Sequence, residues 1–250
     1  MSLLERLHHA THGGPRISRS TSSTLTLQEA YETQKNLIGL ESKRGNPLKG
    51  YKISLTSQET QGLFDAKAPL YGALTEDSLV LDGELMLDQL SEPLVEVELM
   101  FFVDDKITID DDETAILQKT RIAPGIEIPD SRYEDWFPHL TLGQIVADRA
   151  VAGKVVVGQP KSGLTLDQLN SIKATVTLDS EVIATGYSSD VLGNPVHAIK
   201  WLVQELNRSG QQLMPGLVIS SGTFIMPKKL QRGLYSAQFD QVGEVQLRVK

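Results

Sequence analysis

Between Leu94 and Phe102 the chain reads LVEVELMFF, and the two glutamates in that run restrict what the molecule can become. Val95, Val97, Leu99 and Phe101 alternate with the period of two that places side chains on one face of a strand, and the residue types favour sheet. The opposite face starts with Glu96 and Glu98 but continues with Met100 and Phe102, so it too is covered. Same-face neighbours on a strand lie roughly 6.5–7 Å apart at Cα, near enough for two carboxylates to converge on one point. Buried without compensation they repel, and one takes up a proton unless a divalent ion or a lysine cancels the charge. An isolated Glu-x-Glu is more often a pair of surface residues, so the reading needs company elsewhere in the chain.

Two other stretches supply it. In PGIEIPDSR, Ile126 and Ile128 flank Glu127 in strand rhythm, with Pro124, Gly125 and Pro129 expected to fix the ends. Three glutamates from two strands form an all-oxygen donor set with positions left for water or substrate, which suits magnesium or manganese better than zinc. Asp130 is expected to face elsewhere and to pair with Arg132. In KGYKISLTS, Lys52 lies on a strand with Tyr51, Ile53 and Leu55 on the opposite parity. Beside such carboxylates it can hold a substrate carboxylate or move a proton.

The remaining composition narrows the class. The chain has 250 residues, 40% of them hydrophobic, enough for one large domain or a domain with a small appendage. Its net charge is −8 with the signs interspersed, so there is no basic stripe for nucleic acid. No run approaches the roughly 20 apolar residues of a membrane helix, and Glu5 and Arg6 stand where a signal peptide needs apolar residues; a cytoplasmic protein is expected. The absence of cysteine removes disulfides, thiolate nucleophiles and zinc-thiolate sites, leaving oxygen and imidazole as donors. His8, His9 and His12 sit in no recognisable motif and are expected at the surface, and His139 and His197 have no metal-ligand partner at helical spacing.

Along the chain, Leu3, Leu4 and Leu7 mark a first helix, and Thr26 with Glu29 forms a capping box for a second. SKRGNPLKG ends this helical part, and short β-rich runs follow, which places a boundary between an N-terminal helical subdomain over 1–45 and a main domain over 46–250. Thr141 caps a short helix, LTLDQL predicts another near residue 166, and the strongest follows Asn194 and Pro195 and stops at Gly210. Strands precede and follow the helices without regular alternation, which favours an α+β fold. DDDET at 110–114 reads as a solvated acidic loop.

EAYETQ, GYKISLTS, PLYGALTEDS, VEVELMFFV, GIEIPDSR, GNPVHAIKWLVQEL and PGLVISSGTF occur in an order and spacing that resembles the 2-keto-4-pentenoate hydratase and 4-oxalocrotonate decarboxylase branch of the fumarylacetoacetate hydrolase superfamily. The resemblance covers nearly the whole chain. It implies a mixed β-roll with a small helical N-terminal part, a homo-oligomer, and Mg²⁺ or Mn²⁺ held by Glu96, Glu98 and Glu127. By the same matching, Lys52 and Asp77 fall on active-site positions, and Lys52 with Ser221 are the substrate-binding candidates. The implied substrate is a small 2-oxo acid.

Departures accompany the likeness. Ser54 stands where the family usually has glycine, and ADRAV replaces an Ala-Asp-Asn-Ala-Ser stretch, so Arg149 and Val151 take the place of two small polar residues. The expected reaction is hydration of 2-hydroxypenta-2,4-dienoate to 4-hydroxy-2-oxopentanoate, with Lys52 and Asp77 moving protons. The alternatives are decarboxylation of an oxalocrotonate, with Arg149 as the candidate cation for its distal carboxylate, and a catalytically silent relative that binds oxo acids.

Overall fold

The computed structural model describes residues 1–80 and 83–250. Helix α1 (Leu3–Thr11) and helix α2 (Leu27–Lys43) open the chain, each on a capping box, Ser2 with Glu5 and Thr26 with Glu29. The side-chain oxygens satisfy N–H groups that a helix start leaves without partners. Leu7, Ala30 and Leu37 bury in one apolar cluster with Tyr133, Trp136 and Ile145, so these helices lie against residues far along the chain.

The strands are β1 (Leu48–Ser54), β2 (Leu70–Thr75), β3 (Leu79–Val80), β4 (Glu84–Leu85), β5 (Leu94–Val103), β6 (Thr120–Ile128), β7 (Lys154–Val157), β8 (Lys173–Leu178), β9 (Glu181–Tyr187), β10 (Val218–Thr223), β11 (Lys228–Lys229), β12 (Gly233–Phe239) and β13 (Gly243–Val249). Among the described residues they form a mixed sheet in the order β2-β1-β10-β5-β6-β7-β3, with β11 on β5, and a second sheet in the order β4-β13-β12-β8-β9. The other helices are few, α3 (Gln58–Leu63), α4 (Glu113–Gln118), α5 (Leu142–Ala147) and α6 (Leu166–Asn170) being short and α7 (Pro195–Arg208) long. The result is the α+β architecture with a curled sheet that the order of elements predicts.

One face of the first sheet carries Tyr51, Ile53, Val97, Leu99, Phe101 and Ile219. It shares a core with Tyr235, Ala237 and Leu247 of the second sheet and with Val196, Ile199, Leu202 and Leu206 of α7. Those four α7 residues are fully buried, each contributing about 1.5–3 kcal/mol by area. Asn194 Oδ1 accepts the Val196 N–H at 3.1 Å and Pro195 opens α7, as its sequence requires. With one face of the sheet filled this way, the opposite parity of β1, β5 and β6 is left to build a site.

Two local expectations change. Pro124 and Gly125 do not end a strand: β6 runs through them, with Pro124 opposite Leu99. The ladder on the β7 side begins only at Gly125, so the strand at Pro124 is not paired in a regular ladder on both sides. The acidic run at 110–114 is a helix start rather than a solvated loop. Asp112 Oδ1 accepts the Ala115 N–H at 2.8 Å and caps α4, while Lys119 Nζ lies 2.7 Å from Asp111 Oδ1.

Candidate metal and substrate site

Glu96 and Glu127 stand directly opposite each other in the β5–β6 register, and Glu98 follows two residues along the same face. Carboxylate oxygens of all three lie within 4.8 Å of one another. Glu127 is completely buried, Glu98 nearly so, and Glu96 partly. Lys52 reaches in from β1, itself 1% exposed, and its Nζ lies 2.5 Å from Glu127 Oε1. Like charges directly opposite on neighbouring strands destabilise a sheet, so this face is not built for stability.

Ser220 Oγ and the Gly222 N–H, the latter at 2.8 Å, both donate to Glu98 Oε2. Ser220 is the residue that sequence reasoning missed. Ser221 has the opposite parity on β10, and its hydroxyl is buried without a hydrogen bond. The register gives the signal: Ser220 pairs with both Lys52 and Met100, so it shares their face.

Burial pushes the Glu96 carboxyl up to about 8 against the pull of Lys52, with Glu127 adding to the rise. Glu98 is also raised well above the ordinary carboxylate range, by burial first and then by Glu127 and Glu96, with Ser220 and Lys52 opposing. Burial alone lowers a lysine, but Glu127, Glu96 and Glu98 outweigh it and hold Lys52 above its ordinary value. The set therefore keeps its lysine charged and leaves its glutamates short of compensation.

These residues fit a hard divalent ion. Glu127 Oε1 is held by the Lys52 ammonium alone, and among the described residues Oε2 is buried with no hydrogen-bond partner, so the carboxylate keeps lone pairs free for a cation. With three carboxylates ionised and Lys52 protonated, the set carries two negative charges in excess, the charge that one divalent cation cancels.

A pocket opens beside the set. Lys52, Glu96, Glu98, Ser54, Thr60 and Thr223 supply its polar lining, and Leu55, Phe64, Leu94, Trp136, Phe137 and Val151 are among its apolar walls. Lys52 is the only cation among its described lining residues. Arg149, expected to extend the charge of this pocket, lines a separate polar cavity instead. Asp77 lines that second cavity too, exposed, with its N–H on Asn46 Oδ1 at 3.0 Å and its carbonyl accepting from Lys154 Nζ at 2.6 Å. The structure thus brings Lys52 to the three glutamates and does not bring Asp77 or Arg149 into that pocket.

Arg132 pairs with Asp148 rather than Asp130, which instead accepts the N–H groups of Ser91 and Glu92 at 2.9 and 2.8 Å. His139 and His197 each contact only a backbone carbonyl or an exposed carboxylate. His8 and His12 are not simple surface groups, since both approach the buried Glu41.

The fold is shared with a putative fumarylacetoacetate hydrolase family protein from Yersinia pestis CO92, with a TM-score of 0.63 at 14% identity, covering 82% of this chain and 94% of that one. The 4-oxalocrotonate decarboxylase from Pseudomonas putida G7, solved with magnesium and adipate, superposes with a TM-score of 0.87 at 22% identity, covering 100% of this chain and 99% of that one. In sequence, a 2-keto-4-pentenoate hydratase from Burkholderia vietnamiensis is 31% identical over 250 residues, 98% of this chain and 95% of its own length. A 2-oxo-hept-4-ene-1,7-dioate hydratase from Escherichia coli is 29% identical over 236 residues, 90% and 87% of the two chains. No protein-family model matches. The chain belongs to the 2-keto-4-pentenoate hydratase and 4-oxalocrotonate decarboxylase family of enzymes. Among the described residues, no helix is long and apolar enough to cross a membrane.

Proposed function

We infer that the protein is a metal-dependent hydratase of short 2-hydroxy-2,4-dienoates with an apolar far end, 2-hydroxypenta-2,4-dienoate being the smallest. The observation that carries this is the pocket wall. Beyond Lys52, the glutamates and the hydroxyls of Ser54, Thr60 and Thr223 it offers apolar and aromatic side chains, with no second cation among the described residues to receive a distal carboxylate. Burying an unpaired carboxylate there costs several kcal/mol, which a mono-acid avoids.

Glu96, Glu98 and Glu127 would hold Mg²⁺ or Mn²⁺, as the all-oxygen donor set and the buried charge excess favour. When bound, the ion supplies a Lewis acid for the 1-carboxylate and 2-oxo end of the substrate. Lys52, the cation beside the glutamates, would pair with the acid end of the substrate and move a proton there. The dienol first ketonises by gaining a proton at C5; water then adds its hydroxyl at C4 and a proton at C3, giving 4-hydroxy-2-oxopentanoate. The Leu55, Phe64 and Val151 walls exclude bulk water from the conjugated carbons and position the tail.

The test sets 2-hydroxypenta-2,4-dienoate against 2-oxohex-3-enedioate with purified protein and Mg²⁺. Consumption of the dienoate without gas is expected, with turnover retained on a homologue bearing an added methyl group. Release of CO₂ from the diacid, with the dienoate untouched, would establish the decarboxylase reading in its place.

A further inference from the structure

His8 and His12 stand four residues apart at the end of α1, the spacing that puts both imidazoles on one side, and their rings meet edge to face with centroids 4.9 Å apart. In the last turns of α2, Glu41 is fully buried. Asn46 Nδ2 donates to Glu41 Oε2 at 2.8 Å and fixes the carboxylate. The other oxygen, Oε1, lies 2.9 Å from His12 Nε2 and 3.6 Å from His8 Nε2. The three donor atoms are within 4.8 Å of one another.

Hydrogen bonding accounts for only part of this. A single N–H from His12 serves Glu41 Oε1, whereas His8 Nε2 is closed off from solvent and has no hydrogen-bond partner. A buried polar atom left alone in that way is costly. One ion satisfies all three atoms. A tetrahedral centre at about 2.0–2.1 Å from nitrogen and oxygen donors holds them about 3.3 Å apart, and the 2.9 and 3.6 Å separations lie on either side of that value.

The chemistry of the donors selects the ion. Two neutral imidazoles and a carboxylate suit zinc and its borderline neighbours, in contrast to the all-oxygen set on β5 and β6. Asn46 supplies the outer hydrogen bond that orients a ligating carboxylate. His12 and Glu41 also line the second polar cavity, about 290 Å³, together with Asp77, Arg149 and Lys154. A fourth coordination position directed there is open to water. Arg149 is near enough to Glu41 to interact with it, which weakens but does not block a divalent cation.

We propose that this protein has a second metal site, for Zn²⁺ or a borderline divalent ion of its class, formed by His8 Nε2, His12 Nε2 and Glu41 Oε1 with an open position toward the polar cavity. It is independent of the reading given for the glutamate site.

The experiment uses full-length protein stripped with a chelator, supplied with Mg²⁺ and titrated with Co²⁺ followed by Zn²⁺. Wild type should develop the intense visible band of a four-coordinate nitrogen–oxygen Co²⁺ site at one equivalent per chain, and Zn²⁺ should bleach it. His8→Ala and His12→Ala should each lose the band, while Glu98→Gln, altered only at the other site, should keep it. His12→Gln retains a hydrogen-bonding side chain toward Glu41 and controls for folding; it should melt like wild type in chelator and still lack the band. Absence of the band in wild type, its survival in the histidine variants, or its loss in Glu98→Gln alone overturns the proposal.

Discussion

Lys52→Met removes one ammonium from the glutamate cluster while keeping most of the side-chain volume. Lys52 is 1% exposed and 2.5 Å from Glu127, and deleting one partner of a buried ion pair typically costs about 3–5 kcal/mol. The cost depends on pH. Glu96 and Glu98 have folded-state pKa values above the ordinary range, so between about pH 4.5 and 8 the ion-free folded chain binds more protons than the unfolded one. Its stability therefore falls as pH rises through that window, by at most about 1.4 kcal/mol per unit per group, and the share from Glu96 is exhausted above about 8. Lys52 now pulls Glu96 down, so its removal moves the upper edge of the window to higher pH. In chelator the variant should melt near wild type at about pH 5.5 and roughly 6–20 °C lower at about pH 8.5, the range that 3–5 kcal/mol implies for a chain of this size. Added Mg²⁺ should recover more stability in the variant than in wild type, because it cancels the charge the lysine cancelled. Circular dichroism melts across that pH range, with and without Mg²⁺, provide the assay. Parallel pH curves for the two proteins, or equal recovery by Mg²⁺, would refute the electrostatic reasoning.

Glu98→Gln keeps the shape of the set and removes one charge, and turnover at saturating Mg²⁺ should fall by roughly 100-fold or more, since outer hydrogen-bond partners of a metal alone are worth about 10–100-fold. Unchanged kcat would remove Glu98 from the site. Arg132→Met leaves the fully buried Asp148 without its ion-pair partner, and the melting temperature should drop by an amount corresponding to about 3–5 kcal/mol. A loss within 1 °C would show that the pair carries no net structural role.

The parity of a strand is what made the glutamate face legible. Val95, Val97, Leu99 and Phe101 do pack into the core, so Glu96 and Glu98 had to point the other way, and the same rule holds for Ile126 and Ile128 about Glu127. The caps at Thr26, Thr141 and Asn194 were readable because each satisfies a local N–H within three residues. What depends on distant partners was not readable. Lys52 taken alone looks like any exposed strand lysine; the glutamates and the family resemblance, not its own strand, single it out, and its contact with Glu127 places it among the carboxylates. Asp130 and Arg132 are neighbours in sequence, yet Arg132 takes Asp148 because the guanidinium also reaches two backbone carbonyls there. His8 and His12 gain meaning only when α2 presents Glu41 to them.

The two departures in ADRAV act on two different cavities, and the backbone shows how. Arg149, Ala150 and Val151 have φ values of 58°, 50° and 53°, three successive left-handed residues without a glycine, at a cost of about 1–2 kcal/mol each. Arg132 clamps the turn at both ends, donating to the carbonyls of Asp148 and Ala152 at 2.7 Å each, and the Asp130 N–H holds the Val151 carbonyl at 2.9 Å. Gly72 permits the arrangement, since a Cβ there would lie 1.8 Å from the Arg149 carbonyl oxygen. In this conformation Val151 lines the pocket beside the glutamates while Arg149, two residues earlier, lines the cavity shared with His12 and Glu41. Val151 thus adds apolar wall to the pocket beside the glutamates, and Arg149 places its cation in the other cavity. Under the mono-acid reading proposed above, the charge at 149 is therefore no argument for a diacid substrate.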